Sequence, residues 1–268
     1  MPPTLSVIIV TWNVKDLLLR ALARLPAACA PLTWETIVVD NASSDGSAQA
    51  VAAAFPGVHY LRNDTNFGYA KANNQGLALA QGEFLLLLNP DTEADAGAIS
   101  ALVRFLQAHP VAGIVGPALV LSDGSPQPYG FGGNPTVAYL LRRNARRLLR
   151  RGPLHDWGAR QASRVDWVSG ACLLARRAVF TQIGGLDETM FMYFEDNDWC
   201  LRAWQAGWEV WREPAARVLH IGGQSLKQNR RAPAAYYASL RIFYQRHYGP
   251  RDRLALALLL RLLPRPTV

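Results

Sequence analysis

Carboxylates that interrupt apolar runs are the residues of this chain best placed to do chemistry. The run Phe84–Leu88 closes on Asn89, Pro90 and Asp91. Four successive leucines suit a strand covered on both faces, so Asp91 marks where that strand reaches solvent. A strand-end carboxylate can hold Mg2+ or Mn2+, and a cation there would neutralise a diphosphate. Asp91 also reads as the cap of a helix opened by NPDTEADAGAIS, and the two roles are compatible. Asp40 ends another apolar run and precedes Asn41 and a turn of small polar residues. Its carboxylate can accept hydrogen bonds from a base imide or a ribose hydroxyl. Gly68, in the loop from Asn63, lets backbone approach a ligand, with Asn73 and Asn74 just inside the following helix. No GxxxxGK[ST] occurs and no GxGxxG follows the first apolar run, so phosphate charge must be met by other groups.

Glu195, Asp196 and Asp198 form a second acidic group, at the start of a helix expected to end at Gly207. Asp198 and Arg202 are an i,i+4 pair and belong to structure. Phe191, Tyr193 and Phe194 precede the acids and can form a partly dry wall. Asp196 is the candidate base for an attacking hydroxyl. The helix start favours its ionised form, while Glu195 and Asp198 oppose it. His220 closes the apolar VLH and is followed by glycines. Alone it reads as a structural histidine; beside Asp91 its neutral imidazole would complete a metal site.

Strands and helices must alternate to position these groups. LSVIIV ends at Thr11, Trp12 and Asn13, and TIVVD ends at Asp40. Helical periodicity spans Lys15 to Leu25, Ser47 to Phe55 and Tyr69 to Ala80. This alternation predicts an α/β fold with a doubly wound, mostly parallel sheet. At 268 residues and 50% hydrophobic, the chain can bury one large core. No linker, repeat or low-complexity tract divides it. Cys29, Cys172 and Cys200 lack metal-ligand spacing and read as reduced core thiols of a cytoplasmic protein. The start MPPTLSVIIV predicts neither a signal peptide nor an anchor.

The net charge of +8 is concentrated in arginines. In LLRRNARRLLRR, Arg142, Arg146 and Arg150 recur every four residues, as do Arg143, Arg147 and Arg151. A helix there would carry a continuous basic stripe with Leu141 and Leu148 at its flank. From Tyr236 onward, aromatic residues and arginines precede LALALLLRLL, too short to span a bilayer but suited to a helix in the headgroup layer. Two readings stand side by side: peripheral membrane contact, or a solvated basic face with a C-terminal helix packed on the core. Nucleic acid is disfavoured, because no zinc-finger spacing, RNP signature or helix-turn-helix accompanies the charge.

LSVIIVTWN, ETIVVDNASSDGS, NFGYAKANNQG, LLLLNPDTE, VSGACLLARR, GGLDETMFMYFEDNDWCLR and VLHIGGQS follow one another in an order that resembles the family 2 glycosyltransferases, with the nearest likeness to their rhamnosyltransferase-like bacterial branch. The resemblance covers roughly residues 4 to 223. It implies a GT-A fold and an inverting, metal-dependent hexosyltransferase: a nucleotide-sugar-binding half at 1–121, an acceptor-binding and catalytic-base half at 122–223, and a basic, apolar helical region at 224–268. Thr11, Asn13, Asp40 and Asn41 would line the nucleoside pocket, with Asn66 and Gly68 nearby. Gly170 and Ala171 would face the donor sugar. Asp91 matches the last acid of the family's DxD metal motif, and Asn89 stands where its first acid would be, so the cation is held with one fewer negative charge. Asp196, beside Glu195, matches the general base, and His220 the histidine that some members add to the metal.

The implied partners are a dTDP- or UDP-sugar, with rhamnose suggested by the branch, and a cell-surface glycan or lipid-linked acceptor of cell-envelope polysaccharide biosynthesis. The implied location is the cytoplasm, with the inner face of the membrane as an option, and a homodimer stays open. No QxxRW follows the acidic helix, so a single addition fits better than processive synthesis. A catalytically silent nucleotide-sugar-binding protein or partner subunit is the alternative, with Asn89 as its sign. A sugar nucleotidyltransferase would need a phosphate loop near the first strand, and none is visible.

Overall fold

The computed structural model describes residues 2–222 and 232–262. The first half alternates as β1 (Leu5–Thr11), α1 (Lys15–Cys29), β2 (Trp34–Asp40), α2 (Ser47–Ala54), β3 (His59–Arg62), α3 (Tyr69–Leu79) and β4 (Phe84–Leu88). All three periodic segments are helices, and α1 runs one turn further than its leucine spacing predicts. The four strands pair in parallel in the order β3-β2-β1-β4. The chain steps outward from β1 to β3, then crosses back to β4. Connections therefore leave β1 and β4 in opposite directions, which opens a crevice at their carboxyl ends.

β4 explains why an all-apolar strand is tolerated. Phe84, Leu86 and Leu88 enter one core with Leu18 and Leu22 of α1 and with Leu102 of α4 (Ala98–Ala108). Leu85 and Leu87 enter the opposite core with Leu77 of α3 and Trp199 of α7 (Glu195–Gln205). All five β4 residues are at most 2% exposed. Each buried leucine contributes about 1.5–3 kcal/mol, so a polar residue within β4 would be costly on either face.

The sheet continues past β4 through β10 (Cys172–Arg176), β6 (Ala112–Val120), β11 (Glu209–His220) and β5 (Thr92–Ala94). β10 is antiparallel to both β4 and β6, β11 is parallel to β6, and β5 runs back against β11. β8 (Ser163–Arg164) also pairs antiparallel with β11. Most strands thus share one direction, with β5, β8 and β10 reversed. β7 (Phe131–Gly132) and β9 (Trp167–Val168) form a separate ribbon.

The remaining helices are α5 (Val137–Leu148), α6 (Arg177–Ile183), α8 (Ala232–His247) and α9 (Pro250–Leu262). A third core joins Leu140 of α5, Phe194, Phe243 and Tyr244 of α8, and Leu256 and Leu259 of α9. Thr136 caps α5, its hydroxyl accepting from the Tyr139 N–H at 3.1 Å. The arginine stripe is shorter than its spacing predicts. α5 stops at Leu148, Arg150 takes a left-handed φ of 51°, and Arg146 turns back to donate to the carbonyls of Arg151 and Gly152. Helix termination, invisible in a four-residue repeat, breaks the stripe after Arg147. Packing of Leu256 and Leu259 bears out part of the core reading of the C-terminal run, whose last leucine, Leu263, lies outside the described residues. The three cysteines are free and buried, and burial lifts the Cys29 thiol to about 12. No described helix is long and apolar enough to cross a membrane.

Candidate active site

The crevice between β1 and β4 is the floor of a cavity of about 510 Å³. Thr11 closes β1 and Asn89 to Asp91 follow β4, because the parallel register brings both strands to the same edge. Asp91 does not cap a helix. It leads into β5, and Gly97, with φ 73°, occupies the N-cap of α4. β5 pairs Thr92 with His220, the last residue of β11, and this pairing carries the imidazole to Asp91. His220 Nε2 lies 3.3 Å from Asp91 Oδ1, and Nδ1 lies 2.9 Å from Gln127 Oε1.

With Gln127 accepting from Nδ1–H, Nε2 keeps its lone pair and faces a carboxylate oxygen. Two acceptors at that distance require a proton or a cation between them. A carboxylate and an imidazole oriented by a second partner suit Mg2+ or Mn2+, and Mn2+ accepts the nitrogen more readily. No third His, Cys, Asp or Glu joins them among the described residues, so substrate oxygens would have to complete the shell.

A second wall is the start of α7 and the aromatic run before it. Tyr193 and Phe194 both adopt left-handed φ, 70° and 68°. Such values cost about 1–3 kcal/mol each in residues with a β-carbon. They turn the chain so that Phe191, Tyr193, Phe194, Glu195 and Asp196 all line the cavity. Asp196 Oδ2 accepts from the Gly170 N–H at 2.9 Å, and Oδ1 from the Asn197 N–H at 2.8 Å. Tyr69 ties the same turn down by donating to the Gly170 carbonyl at 2.7 Å. Both carboxyls are shifted toward the protonated form, Glu195 strongly. Burial is the main cause for each, Asp196 adds to the effect on Glu195, and the two N–H groups partly offset it on Asp196. The upward shift of Asp196 comes from burial and not from Glu195 or Asp198, whose nearness in sequence predicted it. Asp198 is engaged elsewhere. It points away, 2.8 Å from Arg202 and 2.7 Å from His247, as a structural pair.

Thr11, Asn41, Asn66, Gly68, Asn89, Asp91, Gly170, Ala171, Glu195, Asp196 and His220 meet around this one cavity. Asn13 and Asp40 stand outside its lining. Asp40 is fully buried and accepts from the Ser43 N–H and the Tyr60 hydroxyl, while Asn13 accepts from the Ser44 N–H. They shape the loop behind the floor. Asn41 braces the rim by donating to the Gly68 carbonyl at 3.1 Å. Asn73 and Asn74 hold Tyr69 O and Leu186 O instead of facing the cavity. Sequence reasoning missed Gln127, Tyr139 and Trp167, which lie outside the quoted motifs, and it gave no site role to Tyr69 within NFGYAKANNQG, to Arg143 of the arginine repeat or to Tyr236. Thr11 Oγ1, Tyr193 Oη and Glu195 Oε2 are buried without hydrogen-bond partners. Such atoms are rare in folded proteins, and their gathering here points to groups supplied by a ligand.

Comparison with known proteins agrees with this geometry. The chain is 33% identical to the N-acetylglucosaminyl-diphospho-decaprenol L-rhamnosyltransferase of Mycobacterium tuberculosis over 93% of its own length and 87% of that protein. In three dimensions it resembles TarS 1-349 of S. aureus, with a TM-score of 0.64 at 18% identity, over 97% of this chain and 71% of that one. It also resembles the mannosyltransferase PcManGT of Pyrobaculum calidifontis, solved with GDP-Man and Mn2+, with a TM-score of 0.59 at 20% identity, over 99% of this chain and 66% of that one. These likenesses identify the fold as GT-A. Residues 6–200 match the family described as Glycosyl transferase family 2, a span that contains the cavity floor and the acids of α7. With a cavity at the switch point of a GT-A sheet and a family match over most of its length, the chain belongs to glycosyl transferase family 2.

Proposed function

We propose that this glycosyltransferase moves rhamnose from a nucleotide diphosphate sugar to a hydroxyl of a lipid-linked acceptor, with inversion at the anomeric carbon. The mycobacterial relative is named for an L-rhamnosyl transfer to N-acetylglucosaminyl-diphospho-decaprenol, which supports the choice of sugar and acceptor. The observation that carries the reading is that Asp196 and Asp91, far apart in the chain, both line one cavity. Residues 1–121 would hold the nucleotide, through Thr11, Asn41, Asn66 and Gly68. Residues 122–223 would supply the base and the acceptor side, with α8 and α9 packed against α5 and Phe194.

Asp196 takes the proton of the acceptor hydroxyl as that oxygen bonds to the anomeric carbon, and the bond from that carbon to the diphosphate oxygen breaks on the opposite face. Gly170 and Asn197 hold the carboxylate in place by their N–H groups. Burial makes it a stronger base than a solvated aspartate. Glu195, with the larger upward shift, keeps its proton beside it and adds no second negative charge. A divalent cation held by Asp91 and His220 would neutralise charge on the departing diphosphate. The aromatic wall excludes water that would otherwise compete with the acceptor.

The test is a transfer assay with dTDP-rhamnose and UDP-sugars on a short-chain polyprenyl diphosphate glycan, with the product anomer read by NMR. Product of retained configuration, or Asp196→Asn turning over at the wild-type rate, would end the assignment.

A further inference from the structure

Five leucines on α5, at its C-cap and on α9 remain outside every core. Leu141, Leu148 and Leu149 are 50%, 79% and 62% exposed, and Leu254 and Leu258 are 63% and 49% exposed. The helices are neighbours: Leu140 of α5 and Leu256 and Leu259 of α9 are buried in the same cluster. Each helix thus spends one apolar face on the protein and shows a second to solvent. Leu141 and Leu148 are seven residues apart and share a side of α5; Leu254 and Leu258 are four apart and share a side of α9. Arginines flank both sets. Arg142 and Arg147 are exposed on α5, and Arg251, with Arg261 beyond Leu258, falls on the same side of α9 as its leucines. From Gly124 to His155 the sequence contains no acidic residue.

We propose that α5 and α9 form one docking surface for the face of a bilayer rich in anionic lipid. Leucines inserted at the headgroup boundary and arginines paired with lipid phosphate are the two contributions that interfacial helices combine. A solvated helix face explains the arginines and leaves the leucines unexplained. A second copy of the chain is the weaker occupant, because a two-fold contact would set the same arginines against each other. α5 also lines the cavity through Tyr139 and Arg143, four residues apart on another side of the helix. A bilayer held on its leucines therefore lies next to the cavity wall. The inference rests on the two helices and does not require the proposed reaction.

The full chain is sedimented with vesicles of phosphatidylcholine alone and of phosphatidylcholine with phosphatidylglycerol, at low and high salt. Three paired variants are compared, Leu148→Ser with Leu149→Ser, Leu254→Ser with Leu258→Ser, and Arg142→Gln with Arg147→Gln. Circular dichroism and the thermal midpoint check that each is folded. The anionic vesicles are expected to bind at least about tenfold more tightly than the neutral ones, with the difference shrinking in high salt. Each pair is expected to weaken that binding about tenfold or more. Equal binding to both vesicles, wild-type binding by the variants of either helix, or a leucine-dependent dimer in light scattering without vesicle binding would overturn the proposal. Turnover of a water-soluble acceptor analogue, measured without vesicles, is expected to be unchanged in all three pairs. If the wild type fails to turn that analogue over while binding anionic vesicles, the reaction is wrong and the docking surface stands.

Discussion

The two walls of the cavity are built in opposite ways. In the parallel half most polar groups are already held, Thr11 Oγ1 being the exception: Asn41 donates to the Gly68 carbonyl, Asn66 in the loop after β3 accepts from the Gly68 N–H at 2.9 Å, and Asp40, outside the lining, accepts from Ser43 and Tyr60. At the start of α7, two bulky residues take left-handed φ, Glu195 Oε2 and Tyr193 Oη lack partners, and two adjacent carboxyls are pushed toward their neutral forms. The satisfied wall suits binding a donor without rearrangement. The strained wall stores the unfavourable contacts that a reacting acceptor can relieve. The pocket is thus divided between a rigid holder and a tense base.

Replacing the base should break the comparison most deeply. Asp196→Asn is expected to lower kcat by about 10²–10⁴, with little loss of thermal midpoint, because the amide oxygen still accepts one N–H. Steady-state kinetics beside a melting curve will read both; a large fall in stability would mean that the strained wall is structural. Asp91→Asn is expected to weaken cation-dependent nucleoside diphosphate binding about a hundredfold and to make what remains insensitive to EDTA, measured by calorimetry.

Gly68→Ala tests where the two walls touch. Gly68 has φ 85°, and an added β-carbon would come 2.7 Å from the Phe191 carbonyl oxygen. A loss of about 1–3 kcal/mol in denaturant unfolding is expected, with a higher KM for the donor.

Glu195→Gln should have the smallest kinetic effect, within about threefold in kcat, because a neutral amide mimics the protonated acid. Its signature lies in pH. A carboxyl whose folded pKa is raised contributes its stability fully below the unfolded value and loses it as pH rises through the folded one. The wild type should therefore lose stability from about pH 4 upward toward neutrality. Glu195→Gln should flatten that slope in midpoints recorded across the range. Because Asp196 must be ionised to act, the acid limb of kcat/KM should lie above the ordinary aspartate value in both proteins.

Strand and helix were legible where burial is two-sided or periodic. Phe84–Leu88, the turns at Thr11 and Asp40, and the three early helices follow from apolar patterning, which is local. The acids of α7 and the Asp198–Arg202 pair were legible for the same reason: i,i+4 spacing is set by the helix itself. The arginine stripe failed after Arg147 because a repeat does not reveal where a helix stops.

By itself the sequence determined which elements exist, which strand ends carry polar groups, and that Asp91 and Asp196 stand at the starts of loops or helices. Only the tertiary structure decided which of those groups share a cavity. His220 reaches Asp91 through a strand pairing that spans well over a hundred residues, and Gly170 reaches Asp196 through the ribbon-side turn held by Tyr69. Asp40, read from its position as a ligand, is buried and accepts from the Ser43 N–H and the Tyr60 hydroxyl, partners that its place at a strand end does not reveal. Periodicity is written residue by residue along the chain, whereas long-range pairing depends on how whole elements stack, and no short spacing encodes that.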